Sequence, residues 1–435
     1  MRMYDIIKKK RDGGELSSEA IEFAVMGFTD GTIPDAQMSA LAMAIFFRGM
    51  TVPEYSCLTD EMARSGEMLD LSEFGDLTAD KHSTGGVGDK TTLVLAPMCA
   101  SLGMKVAKMS GCGLGHTGGT VDKLESIPGF KADLTSAEFT EQVRDIGIAV
   151  SGQSTDLAPA DKKLYKLRDE CAEVENIPLI ASSIMSKKLA AGSRNIVLDV
   201  KCGSGAFMKT ADEARALAEA MVNIGRENGR RVSAVITDMD TPLGYAVGNS
   251  LEVNEAVMTL RGEGPRDLRT VCVTICTMLY SMCFGDAEDE ARTLAEGVLD
   301  SGEAYNTFIR WIKRQGGDVS VFEDGGLLGA ADEVIHVTAD RDGYITHTDC
   351  EGIGRCALLL GAGRSVPDGK IDHGTGLILR RKTGDAVRAG DVICEIYARC
   401  TDDGRAAEKM LLDCITVSDE MGERVPLILD RIDFR

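Results

Sequence analysis

The chain of 435 residues predicts an α/β fold with a buried, mostly parallel sheet. A small all-α domain precedes the sheet and an α+β domain follows it. Three observations carry this reading. In the middle of the chain, short apolar runs alternate with helix signals and glycine loops, the pattern of strands covered on both faces. The N-terminal stretch has helical periodicity only. Beyond about residue 335, short alternating runs are separated by Gly-Asp turns.

The elements follow in order. Ser17 or Ser18 caps a helix with Ile21, Ala24, Val25 and Phe28 on one face, stopped at Asp30-Gly31. Pro34 opens a second, with Met38, Leu41, Ala42 and Ile45 aligned, ending near Gly49. A third follows Thr51-Val52-Pro53 and ends near Gly66. Apolar strands are expected at 106–110, 146–152, 195–200 and 232–238. Between them lies a helix at 211–227, opened by a Thr210/Glu213 capping box with Leu217, Ala220, Met221 and Ile224 on one face. The C-terminal stretch 376–398 reads as β-rich, with turns at Lys382–Asp385 and Ala389–Asp391.

Composition narrows the function. The net charge of −21 argues against nucleic acid or an anionic membrane as a partner, since both require positive charge. No signal peptide is expected in MRMYDIIKKKRDGG, and no uncharged apolar run approaches a membrane span. Thirteen cysteines lie scattered without a CxxC pair, as small buried thiols in a reducing cytoplasm do. Five histidines are too dispersed for a metal site.

Two glycine loops stand out. KHSTGGVGDKTT, residues 81–92, combines lysines, a histidine, hydroxyls and glycines just before the apolar run LVLAPMCASLG. KMSGCGLGHTGGT, residues 108–120, repeats the mixture after a strand. Glycines let backbone N–H groups approach a ligand, and a helix N-terminus adds positive potential, so both loops suit an anion. Gly113, Gly115 and Gly118 also fit GxGxxG, with Asp133 downstream. A lone motif of this kind is weak support for a dinucleotide site, because no strand–turn–helix unit opens the chain. A third cluster, residues 160–170 and 178–192, gathers Arg168, Ser183 and Lys187 as candidates for a neutral polar heterocycle.

In sequence order, KHSTGGVGD, MSGCGLGHTGGTVDKLESIPGF, LAPADKKLYKLRD, IPLIASSIMSKKLAAG and DVKCGSGAFMK closely resemble motifs of the thymidine/pyrimidine-nucleoside phosphorylase family. The resemblance runs from MRMYDII through the C-terminal domain. It implies a homodimer, with a small helical domain (1–65 and 163–193) hinged to an α/β domain (66–162 and 194–334), and a C-terminal domain at 335–435. It implies phosphate as cosubstrate and no organic cofactor. Lys81, Ser83, Thr92, Lys108, Ser110 and Thr120 match phosphate ligands. Arg168, Ser183 and Lys187 match base ligands, His82 matches the histidine bonded to base O2, and Leu114, Ile184 and Phe207 match the apolar wall. A potassium-like cation is implied at Gly88, Lys90, Leu243, Ala246 and Glu255.

The implied reaction is reversible phosphorolysis of uridine, thymidine and deoxyuridine. A strict thymidine phosphorylase is the nearer alternative. An anthranilate-type phosphoribosyltransferase, requiring Mg²⁺, is the more distant one, and a non-catalytic nucleoside-binding protein is a third. His82, Arg168 and Lys187 are the expected catalytic residues: a departing pyrimidine carries negative charge that cations and hydrogen-bond donors stabilise. Three residues depart from the family pattern. Cys112 replaces an arginine beside the phosphate loop, and Lys90 stands where potassium-binding members carry threonine. There, a side-chain ammonium close to the site would disfavour a cation, whereas a residue donating only its carbonyl would preserve it. Cys202 replaces threonine or valine.

Overall fold

The computed structural model describes residues 1–111, 113, 118–152, 157–364, 369–422 and 424–434. Four helices open the chain: α1 (Met3–Arg11), α2 (Ser18–Asp30), α3 (Asp35–Arg48) and α4 (Val52–Arg64). Their ends are set locally. Gly31 closes α2 in the left-handed conformation at φ 86°, and Thr51 and Glu54 form a capping box on α4. The predicted apolar faces pack together, with Ile21, Phe28, Met38, Leu41, Leu58 and Met62 in one core. The buried Lys10–Glu54 pair, 2.7 Å apart, ties α1 to α4.

Next come β1 (Thr78–Ser83), α5 (Thr91–Ser101), β2 (Lys105–Ser110), α6 (Thr120–Glu125), α7 (Ser136–Ile146) and β3 (Ile148–Gly152). α8 (Pro159–Glu170) and α9 (Ile177–Ala190) follow, and Ala160, Leu164, Leu167 and Leu179 return to the N-terminal core. β4 (Asn195–Cys202), α10 (Ala211–Glu227), β5 (Arg231–Asp238), β6 (Ala246–Val247), α11 (Asn249–Leu260) and α12 (Arg266–Phe284) complete this part. α12 has the length and hydropathy of a membrane span. It lies in the core, where Val271, Cys272, Ile275, Cys276 and Leu279 are buried among Leu93, Met98 and Ile335.

The main sheet runs β5-β4-β1-β2-β3, all parallel, with Ile428–Ile432 added antiparallel at the β5 edge. Two segments lie elsewhere than the sequence predicts. Lys81, His82 and Ser83, expected in a loop, belong to the strand β1 at the centre of the sheet. Their sequence TADKHS has almost no apolar character. It is held by parallel pairing to β2 and β4, and by neutralising partners for Asp80 and Lys81. The last strand, expected in the C-terminal domain, completes the main sheet instead. Its backbone satisfies the open edge of β5.

The C-terminal part contains a four-stranded sheet, in which β6 pairs with Gly376–Leu379 and so adds two residues from the α/β part. A three-stranded sheet and the helices Cys350–Leu359 and Thr401–Cys414 complete it. Loops after β1, β2 and β4 lie at the carboxyl edge of the parallel sheet, where ligands bind in open α/β folds.

Candidate active site

The carboxyl ends of β1 and β2 carry a lattice of buried opposite charges. Lys108 Nζ donates to the carbonyl of Lys81 at 2.5 Å and lies 3.6 Å from Asp80. Lys188 Nζ donates to the other Asp80 oxygen at 2.9 Å. On the opposite face of β1, Lys81 Nζ contacts the Thr91 hydroxyl and stands 3.5 Å from Asp89 and 3.7 Å from Asp199. Asp199 also pairs with Lys201 at 2.6 Å. Lys81, Thr92 and Lys108 border one small, mostly apolar void with Leu95, Ala96 and Val106, which places three of the expected phosphate ligands near one another without forming a phosphate-sized cavity. Ser83 accepts a bond from the Gly85 amide at 3.2 Å. Ser110 ends β2 and Thr120 opens α6, and both are half-buried.

The titration states follow from this crowding. Burial pushes Lys108 down to about 7, with Asp80 opposing and Lys188 and Lys81 adding to the shift. His82 is lowered well below its ordinary value, first by burial and then by Lys188, Lys108, Lys187 and Lys81. His82 is half-buried, and the surrounding ammonium groups act in the same direction as burial. His82 is therefore neutral near pH 7 and serves as a hydrogen-bond donor or acceptor rather than a proton source. Asp89 is held well below the carboxylate range: burial alone would raise it, but Lys81, Lys201, Ser83 and Thr91 prevail.

Gly113, Gly118 and Gly119 of the second loop are held by two charged residues of α6. Asp122 accepts from the Gly113 amide at 2.6 Å and the Gly119 amide at 3.2 Å, and also contacts Arg364. Lys123 donates to the carbonyls of Asp89 (3.2 Å) and Gly118 (2.9 Å), bridging the two loops. Neither residue was picked out by sequence, nor were Asp80, Lys188, Asp199 and Lys201. Their available signal was charge inside otherwise apolar strand and helix runs. Cys112 and Leu114 lie outside the described residues.

On the helical side, Lys187 donates to Asp161 at 2.5 Å and to Ser183 at 3.2 Å, joining α9 to α8. Ile184 is half-buried on the same helix. Arg168 is buried and donates to the carbonyls of Glu173 (3.1 Å), Leu179 (3.2 Å) and Val174 (2.7 Å). Three of its five N–H groups thus order the α8–α9 turn. Phe207 stands apart: it is 61% exposed, and its ring faces Gly85 across the first loop.

The oxygens proposed for a potassium ion surround a side chain instead. Lys90 Nζ donates to the carbonyls of Leu243 (2.9 Å) and Ala246 (2.8 Å) and to Glu255 at 2.5 Å. The Gly88 carbonyl accepts the Lys90 amide at 2.9 Å. A second cation on these oxygens would sit within a few ångströms of Nζ, and two unit charges 4 Å apart repel by about 4 kcal/mol in a protein environment. The residues present do not fit potassium.

Family models match three stretches of the chain. A glycosyl transferase family helical bundle domain matches residues 4–66, and a glycosyl transferase family a/b domain matches residues 75–305. A pyrimidine nucleoside phosphorylase C-terminal domain matches residues 344–418. The chain is 51% identical to a pyrimidine-nucleoside phosphorylase of Geobacillus stearothermophilus, covering 99% of this chain and 100% of that protein. It is 53% identical to one from Bacillus subtilis, over 92% of each. The anthranilate phosphoribosyltransferase of Thermus thermophilus superposes with TM-score 0.58 at 20% identity, covering 72% of this chain and 99% of that one. That likeness concerns the fold alone. The chain belongs to this glycosyl transferase family, in the branch that includes the pyrimidine-nucleoside phosphorylases.

Proposed function

We propose that the protein catalyses reversible phosphorolysis of pyrimidine nucleosides, uridine, thymidine and deoxyuridine among them, to the free base and the α-D-(deoxy)ribose 1-phosphate. The observation that carries this reading is the buried Lys81–Lys108 pair at the ends of adjacent central strands. It stands near His82, with Lys187 close enough to depress that ring's basicity. The relatives' names support the same activity.

In this reading phosphate lies against Lys81, Ser83, Thr92, Lys108, Ser110 and Thr120. It attacks C1′ from the face opposite the base. The C1′–N1 electrons pass to the pyrimidine, which takes up the proton that the hydrogen phosphate loses on bonding to C1′, and C1′ inverts. Lys187 stabilises the developing anion. Neutral His82 donates a hydrogen bond to base O2, and Ser183 and Ile184 flank the ring. Arg168 holds the α8–α9 turn through its three carbonyl contacts and offers its remaining N–H groups to the base. Lys81 and Lys108 desolvate and orient the nucleophile, so no protein carboxylate attacks.

Residues 1–65 with 163–193 move against 66–162 and 194–334 to close the cleft, and residues 335–435 form the third unit apart from the terminal edge strand. A homodimer is supported by exposed Tyr4 and Phe47 on the packed helices α1 and α3, and sedimentation tests it. A cytoplasmic location is supported by the free thiols. Ultraviolet monitoring of uridine, thymidine and deoxyuridine, with and without phosphate, tests the activity. Release of base only with phosphate is expected. Turnover requiring Mg²⁺ and phosphoribosyl diphosphate would overturn the reading.

A further inference from the structure

We propose that Lys90 acts as a built-in monovalent cation, its ammonium fixing the loop that carries Asp89 and Thr91, so that the protein works without potassium or sodium.

The geometry is that of a filled site. The Lys90 side chain is fully buried and that of Glu255 is 10% exposed. An ammonium has three N–H donors, and three oxygens receive them, from Leu243, Ala246 and Glu255. The walls are shaped to admit it. Gly88 and Gly244 have φ of +73° and +70°, and a Cβ on Gly244 would meet Glu255 and stand 2.9 Å from the Lys90 ammonium. Side chains are excluded from the cage by both backbone conformation and space. Glu255 is itself oriented, accepting the Tyr245 amide at 2.8 Å and the Ala246 amide at 3.3 Å.

The cage joins three segments distant in sequence: the loop before α5, the 243–246 loop and α11. A second tie, from the Leu243 amide to the Val87 carbonyl at 3.1 Å, runs beside it. The residues on either side of Lys90 point the other way. Asp89 accepts from the Thr91 hydroxyl at 2.6 Å, and both contact Lys81. The cage therefore sets the backbone from which two partners of Lys81 project. A diffusible cation in the same cage would do the same work, but would be lost on dilution. The tether makes the charge permanent, and the carboxylate and carbonyls are never left unpaired.

The rate measurement rests on the phosphorylase reading; the stability measurement does not. Initial rates and thermal midpoints would be measured in choline, sodium and potassium chloride at equal ionic strength, for the wild-type protein and for Lys90→Ala and Lys90→Thr. The wild type is expected to show the same rate and midpoint in all three salts. In choline the variants should lose roughly 10-fold in rate and several degrees in midpoint, and potassium should restore both. Wild-type rate or midpoint rising with potassium over choline would overturn the proposal. So would variants that match the wild type in choline, or whose losses potassium does not repair. If neither variant folds in any salt, the wild-type midpoints decide. A wild type inactive in every salt counts against the phosphorylase reading and leaves the midpoint comparison standing.

Discussion

Two buried lysines, Lys90 and Lys108, behave in opposite ways. Lys90 is held above its ordinary pKa: burial would lower it, but Glu255, Glu252, the Glu255 hydrogen bond and Asp267 prevail. Lys108 is equally buried, yet drops to about 7. The difference is the number and reach of partners. Lys90 has three oxygens for three donors, one of them a carboxylate at 2.5 Å. Among the described residues, Lys108 has one carbonyl and a carboxylate 3.6 Å away that Lys188 already holds. A satisfied ammonium is structure. An under-satisfied one is a place for an anion, because the arriving charge restores what burial removed.

The contrast breaks most severely at Lys90. Lys90→Met leaves Glu255 buried and uncompensated, so urea unfolding in choline buffer should lose about 3–5 kcal/mol. Adding Glu255→Gln should recover part of that loss. A loss below about 1 kcal/mol would make the cage incidental.

Lys108→Ala should do the reverse. It should lower kcat/KM for phosphorolysis by roughly 10²- to 10³-fold while leaving the thermal midpoint nearly unchanged, since Asp80 keeps Lys188. A large fall in midpoint with little change in rate would equate the two lysines.

The two lysines also differ in their dependence on pH. Lys108 binds its proton less tightly folded than unfolded, so its contribution to stability grows as pH rises from about 7. Lys90, raised on folding, contributes fully below its unfolded value and loses that contribution as pH climbs through the folded one. For activity, phosphate KM should rise as pH passes through about 7 and Lys108 discharges. In Lys108→Arg, whose guanidinium stays charged, that limb should vanish; a limb that persists assigns it to another group.

The smallest effect is expected at His82. A neutral ring contributes a hydrogen bond, so His82→Gln should stay within about 10-fold of wild-type kcat, and His82→Ala should fall by roughly 10²-fold. An acid limb of kcat near pH 6.5 that disappears with His82→Gln would show that the ring charges after all.

Much of this was legible before folding. The helices α2, α3, α4 and α10 declared themselves through caps and apolar faces, because both signals are local. β2, β3, β4 and β5 did so as apolar runs. β1 did not. Asp80, Lys81 and His82 look like a solvated loop until neighbouring strands and helices bring Lys188, Lys108, Asp89 and Asp199 to them. Sequence proximity places the strand Ile428–Ile432 with the C-terminal domain, although its partner β5 lies far back in the chain.

Local pattern and motif order were enough for the family, the helical and α/β parts, and the residue types gathered at the phosphate loops. Which charges meet depends on the packed fold. It placed Lys90 inside a cage of oxygens from residues 243, 246 and 255, and it gave Lys108, among the described residues, one carbonyl and a shared carboxylate one strand away from Lys81. Burial and partner distance set the state of a charge, and both depend on long-range packing that a linear pattern does not encode.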